Sequence, residues 1–491
     1  MSKRPRHSTL RRELRLINLS WVFGALWLWT ISGAVMTQYA RALGMPDYAF
    51  GILAALPYLA TLMQLPASYL LDRFGRRKAL YLQAQGFSRL MWIVAAAIPW
   101  ILPGSQFLWW PALVVVLAVA WAAFHLGVPA WMNWMADVVP RQVRGRFYGM
   151  RQLVARPIAI VVTLAVGAAI DMVEEVGQPH MMLRATGVIL IIASLFGLLE
   201  VEAYQRVHDP KRDRPNGHVD WFRKLAQPLR MANFRWFVAF NMTFALGTGF
   251  MGQYVWLYMF DIGGYSSLQA NFFMIALPGL VNLLAYPLWG RFVDRMGCKP
   301  ALLIAASGML VNPFGWILLC TGAAPLLGGS IVVIGFLSWP GIEVSTMNYM
   351  LDLAGTRDKN GSGTAMVAIN SIAVACGGAL SGVIGGVFAQ TLADLHWIVP
   401  GINVPLTYHG LLFLFSGVLR LVSVIWVTFI HEVESAPTRD AIRYMTSTLY
   451  GNVRQTILMP TRVVTNLYQR SYRLRPDEER RDPPSTRSTK V

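Results

Sequence analysis

Asp, Arg and Gly recur in one pattern at two places in this chain. The first copy reads Asp72-Arg73-Phe74-Gly75-Arg76-Arg77, and the second reads Asp294-Arg295-Met296-Gly297, led by Gly290. Each copy separates two apolar stretches. A carboxylate there can accept hydrogen bonds from a neighbouring helix N-terminus and from arginine side chains. A glycine shortly after it supplies the positive φ of a sharp helix-to-helix reversal. The chemistry of such a group is holding, not bond making. Asp137-Val138-Val139-Pro140, followed by Arg144-Gly145-Arg146, adds a third polar group of similar character.

Other candidates lie within the apolar stretches, where an ionisable side chain is costly and therefore a functional hypothesis. Glu343 follows Pro340-Gly341, a pair able to break a helix and expose backbone to a cavity. It can carry a proton or meet a cationic substrate. The alternative is a structural ion pair with Arg420. Arg89 and Arg420 suit structural pairing better than ligand contact, and Arg156 also falls inside an apolar stretch. His125 either titrates near neutral pH or packs as a hydrogen-bonded residue. The amides Gln38, Asn241, Gln253, Asn282, Asn348 and Asn370, with Trp27, Tyr254 and Trp256, suit polyhydroxylated solutes or drug-like organics. Asn133 and Asn348 occupy matching places, which favours helix packing or gating for them. Gly377, Gly378, Gly382, Gly385 and Gly386 allow close, sliding helix contact.

The elements that must position these residues are membrane spans. The chain has 491 residues, 55% hydrophobic and 14% charged, too little charge to cover a soluble domain of this size. Apolar segments of bilayer length fall at 17–40, 48–71, 79–102, 107–134, 147–170, 184–204, 234–260, 268–292, 300–322, 328–351, 362–389 and 408–431. The fold class expected is all-α and polytopic, with twelve helices in two six-helix bundles at 17–204 and 234–431. Residues 1–16 form a basic N-terminus, 205–233 a linker and 432–491 a basic tail. Within the tail, Ile442, Met445, Leu449, Ile457 and Leu458 would lie along an amphipathic helix on an anionic leaflet. A loosely ordered tail is the alternative, and its last stretch has the composition of a disordered segment.

The net charge of +18 resembles that of a nucleic-acid binder, but its distribution argues otherwise. All of the 43 lysines and arginines except Arg41, Arg89, Arg156, Arg184 and Arg420 fall in the N-terminus, the even-numbered loops with the span ends beside them, and the tail. That asymmetry places both termini in the cytoplasm, in a bacterial inner membrane or its equivalent. No nucleic-acid partner is expected; membrane lipids are. Cys298, Cys320 and Cys376 have neither metal nor disulfide spacing. The sequence lacks a P-loop, a GxSxG elbow and a His-Asp-Glu metal cluster, so neither an ATP-driven pump nor an enzyme is expected, and no cofactor.

The two halves repeat. Ala55-Leu56-Pro57 recurs at Ala276-Leu277-Pro278, Gly86 at Gly308, and Met132-Asn133-Trp134-Met135-Ala136-Asp137 as Met347-Asn348-Tyr349-Met350-Leu351-Asp352, in order and at nearly constant offset. The first basic loop, Ser68 to Lys78, resembles the signature between helices 2 and 3 of the major facilitator superfamily. The second, Gly290 to Lys299, stands where that family repeats it. Ser68 replaces a usual Gly, and Cys298 with Pro300 weakens the second basic run. The resemblance implies a monomeric carrier that moves a small solute by alternating access, with protons as a candidate coupling ion. It also implies that Asp72 and Asp294 latch the cytoplasmic side, Asp72 the more strongly. A symporter or facilitator for a sugar-like or other polar solute is favoured. An exporter, and a transporter-like sensor that uses the tail, are the alternatives.

Overall fold

A computed structural model describes residues 7–139, 144–210, 228–355, 363–399 and 404–432, with Pro437, Arg439, Asp440 and Arg443. The tail residues singled out above lie outside it, as do the side chains of Asp72, Arg144 and Arg146. Among the described residues, ten helices are long and apolar enough to cross a membrane. Two more, Arg77–Ala96 and Ala232–Met251, stand at the third and seventh expected spans. Their polar residues, Arg77, Lys78 and Arg89 in one and Asn233, Arg235 and Asn241 in the other, dilute their apolar character.

Several spans are broken. The first consists of His7–Ile31 and Ala34–Ala42, interrupted at Ser32 and Gly33. The seventh consists of Ala232–Met251 and Tyr254–Asp261, interrupted at Gly252 and Gln253. The breaks fall at the same place in the repeat. The second span divides into Asp47–Thr61 and Gln64–Phe74, and the ninth into Cys298–Leu310 and Asn312–Cys320. In the eighth, a π-helical stretch, Phe272–Ala276, joins Ser267–Asn271 to Leu277–Met296. The fourth, fifth, sixth, tenth, eleventh and twelfth are Trp109–Val138, Arg144–Glu175, Pro179–Gln205, Pro325–Gly355, Gly363–Thr391 and Tyr408–Thr428.

The helical fold class expected is the one observed, with one short extended element beside it. A short antiparallel hairpin, Trp397–Val399 with Val404–Leu406, lies between the eleventh and twelfth spans. β-Branched residues around a Pro-Gly pair favour it.

The repeat extends to packing. In the first half, the third span packs on the fourth and sixth, the first on the fifth and sixth, and the second on the fourth. In the second half, the ninth packs on the tenth and twelfth, the seventh on the eleventh and twelfth, and the eighth on the tenth. Across the halves the second meets the eleventh, and the fifth meets the eighth. Lipid offers helices no hydrophobic drive to associate, so small residues and hydrogen bonds must set these contacts. A Cβ built on Gly51 would stand 2.2 Å from the Gly382 carbonyl oxygen, so backbone meets backbone there.

Candidate functional site

Among the described residues, three polar assemblies stand out, one built separately within each half and two that join the halves. The first is on the face that carries the two basic loops, the basic face. Gly75, with φ of 64°, ends one helix and lets the next begin at Arg77. Gly297, with φ of 91°, does the same before Cys298. Arg77 is buried. Its guanidinium donates to Asp137, to Asp209 Oδ1 at 2.8 Å, and to the carbonyl oxygens of Asn133 and Pro210 at 3.0 and 2.7 Å. Burial disfavours its charge, but the bonds and charges of Asp137 and Asp209 outweigh burial and hold its pKa above the ordinary value. Lys78 Nζ caps the end of the sixth span through Gln205 O and Val207 O, at 2.7 and 2.8 Å.

The second repeat builds a counterpart. Glu432 accepts the backbone N–H groups of Cys298 and Lys299 at 3.1 and 2.7 Å, and Lys299 Nζ donates to Thr428 O at 3.1 Å. A carboxylate at a helix N-terminus is favourable both as a cap and against the dipole. Asp294 and Arg295 are exposed. Gly290 lies inside its helix with open space where a Cβ would go, so nothing in this conformation requires a glycine there. Arg73 contacts Tyr69 Oη at 3.1 Å, and Arg76 is exposed.

The opposite, far face is sealed by bonds between the halves. Arg41 and Asp261, repeat-related ends of the first and seventh spans, form an ion pair at 2.5 Å. Asp171, at the end of the fifth span, accepts the N–H groups of Ser267 and Leu268 at 2.7 and 3.0 Å, capping the eighth. Tyr408 Oη donates to Asp47 Oδ2 at 2.6 Å. Asn271, fully buried, accepts the N–H of Ala34 and donates to Thr163 O at 2.7 Å. Gln253 Nε2 donates to Thr37 Oγ1 at 2.6 Å, and Gln38 Nε2 to Ser267 Oγ at 3.2 Å. Gln38 and Gln253 therefore close the far face. Toward the basic face, a cavity of about 350 Å³ separates the second and fourth spans from the eleventh, lined by Thr61, Gln64, Ser68, Asn133, Val367 and Ser371 among others.

The third assembly lies midway along the spans, with Glu343 exposed and Arg156 half-buried. Glu343 of the tenth accepts from Tyr286 Oη of the eighth, and from Trp339 Nε1 of its own helix at 2.9 Å. The Arg156 guanidinium, from the fifth span, stands beside the Tyr286 hydroxyl and 5.8 Å from the Trp29 ring centre. Opposite charges from the two halves thus flank one phenol. The Glu343–Arg420 pairing offered as an alternative is not formed. Arg420 is buried in the second half, donating to Met309 O at 2.8 Å and to Met251 Sδ at 3.2 Å.

The other candidates are distributed differently. Arg89 is buried against Glu200 Oε2 at 3.1 Å, with its guanidinium carbon 3.3 Å from the Trp27 ring centre. Trp27 is therefore enclosed in the first half and is no cavity wall. His125 Nδ1 lies 3.2 Å from Gln64 Nε2 and packs on Trp121 and Phe124. Asn133, Asn241 and Asn348 each turn back to a carbonyl of their own helix. Tyr254 and Trp256 are buried in the core. Among the described residues, the buried Oδ1 atoms of Asn282 and Asn370 have no donor. Sequence reasoning passed over Glu200, Asn271, Asp171 and the site role of Arg156. Only Arg156 carried a signal, as an intramembrane charge.

The Major Facilitator Superfamily model matches residues 20–375, and the chain belongs to that family. It is accordingly an integral membrane protein of a class that transports small solutes. A variant of the nucleoside transporter NupG superimposes with a TM-score of 0.63 at 12% identity, covering 86% of this chain and all of that one. A D-xylose–proton symporter gives 0.60 at 16% identity, covering 87% and 98%. A bacterial homologue of the human lysosomal transporter Spinster, in an inward-facing and unoccupied conformation, gives 0.57 at 13%, covering 87% and 95%. These likenesses concern the fold. A search of curated proteins finds no match.

Proposed function

We propose that the chain is a secondary transporter that moves a small polar organic solute by alternating access, with its central site at Arg156, Tyr286 and Glu343 between the Trp29 and Trp339 rings. The observation that carries the reading is the meeting of Arg156 from one half with Tyr286 and Glu343 from the other. A site shared by both halves changes its exposure when they rock. The sealed far face and the cavity near the basic loops correspond to a state open toward the basic face. On the charge asymmetry this is the cytoplasmic face. The solved nucleoside transporter and D-xylose–proton symporter of the same fold support small polar cargo and protons as the driving ion.

In this reading Glu343 carries the proton, and the halves 17–204 and 234–431 act as the two rocking bodies. Asp72 and Asp294 latch the cytoplasmic side in the alternate state. The test is uptake into proteoliposomes of a solute first selected by thermal shift from sugars, nucleosides and organic acids. Wild-type uptake should rise with an inward proton gradient, and Glu343→Gln should abolish that rise. Full gradient response in the variant refutes Glu343 as the carrier.

A further inference from the structure

We propose that the solute is an organic anion that binds together with one proton. This rests on the site reading above and deepens it. Among the described residues, Arg156 forms no ion pair with a carboxylate. Glu343 is satisfied by two neutral donors, Tyr286 Oη and Trp339 Nε1, and not by a cation. Among the described residues, Tyr286 from the eighth span joins the two charges: its hydroxyl bonds Glu343 and stands beside Arg156 from the fifth, which in turn lies near the Trp29 ring of the first. The two charges therefore share one phenol as a neighbour, without being locked in a direct salt bridge.

Net charge midway along a membrane span is costly once the site closes against water, so the closed site favours states that sum to zero. Two such states are available. In the empty state, Glu343 is ionised and offsets Arg156. In the loaded state, Glu343 has taken up a proton and a bound anion offsets Arg156. An anion beside ionised Glu343 leaves one negative charge over, and protonated Glu343 without an anion leaves one positive. Tyr286 is the switch between the two good states. Its hydroxyl donates to Glu343 when that carboxylate is ionised, and it turns to the anion once Glu343 is protonated. A neutral sugar or nucleoside supplies no charge to offset Arg156, so its binding would gain nothing from the proton. Trp29 beside Arg156 and Trp339 beside Glu343 offer ring faces to the organic part of the solute.

The test uses the purified full chain and probes paired as a monoanion with a neutral counterpart of similar shape: benzoate with benzamide, and lactate with lactamide. Thermal shift and calorimetry at millimolar concentration read binding, and a pH indicator in weak buffer reads proton uptake. The expected result is binding by at least one anion and not by its neutral partner, with about one proton taken up per anion bound. Affinity should weaken as pH rises, because binding takes up a proton. Arg156→Gln should remove the preference for the charged member. Glu343→Gln should keep anion binding and lose both proton uptake and pH dependence.

Equal binding of anion and neutral partner overturns the proposal, as does anion binding without proton uptake or the failure of every anion. If neutral probes bind and Arg156→Gln or Glu343→Gln still removes that binding, the site reading stands and the solute class fails. If probes bind and neither substitution matters, the site reading fails as well.

Discussion

The Asn271 side-chain oxygen lies 2.8 Å from the backbone nitrogen of Ala34, so a residue of the eighth span satisfies an N–H freed by the break in the first. The same amide donates to Thr163 O, tying the fifth span in as well. Both bonds cross between the halves, and both need the far face closed. Replacing Asn271 by Ala should leave Ala34 N–H buried without an acceptor, at about 1–3 kcal/mol. The closed far face should lose population accordingly. Spin labels on the far ends of the second and eleventh spans, in a background lacking Cys298, Cys320 and Cys376, should report a longer mean distance. An unchanged distance distribution removes Asn271 from the closure.

A substitution of the opposite kind acts through volume. A Cβ on Gly382 would stand 2.4 Å from the Gly51 carbonyl oxygen and 3.0 Å from Ala55 N. Backbone on both sides cannot yield cheaply. Gly382→Ala should hold the far face open in most molecules, and transport should fall at least tenfold while the protein still folds. Wild-type transport from this variant would show that the contact is looser than its geometry.

Within the first half, Arg89 and Glu200 form an ion pair sealed from solvent, each side chain no more than 5% exposed. Removing one partner strands the other, a change worth about 3–5 kcal/mol, whereas replacing both with apolar residues can be neutral. Glu200→Leu should therefore sharply lower the thermal inactivation temperature in detergent, and Arg89→Met with Glu200→Leu should recover much of the loss. In the second half, the buried Arg420 instead bonds the Met309 carbonyl oxygen. Arg420→Met strands no carboxylate and should cost less than Glu200→Leu. The reverse order would contradict this assignment.

At the basic face, Arg77 joins Asp137, Asp209 and two carbonyl oxygens. Lys cannot reproduce that planar fork. Arg77→Lys should destabilise the protein nearly as much as Arg77→Ala, with both read as lower melting temperatures. Full retention by Lys would mean that charge alone matters.

Much of this architecture is legible in the sequence, because bilayer-length apolar runs and a repeated loop leave a one-dimensional trace. Gly75 and Gly297 were identifiable as turn residues, since a reversal between helices demands positive φ. The breaks at Gly33 and Gly252 were not separable from the many glycines that serve only packing. Glu200 reads as an ordinary residue near a helix end, and only the fold brings it to Arg89. Asn271 and Asp171 meet the other half, and no local periodicity encodes that meeting. Arg156 lay in view as an intramembrane charge, but its relation to Glu343 depends on two helices from different repeats. Trp27 and Trp29 were indistinguishable by type, and a rotation of one helix sends one to the interior and the other toward Arg156.

Lys78 and Lys299 hold the last carbonyls of the sixth and twelfth spans, and Arg77 and Glu432 add the next links. The chain leaves the first half at Pro210 and the second just past Glu432, and both departures are fastened to the helix that follows a signature loop. Each half thus ends anchored beside its signature loop, at Arg77 in one and at the Cys298 helix N-terminus in the other.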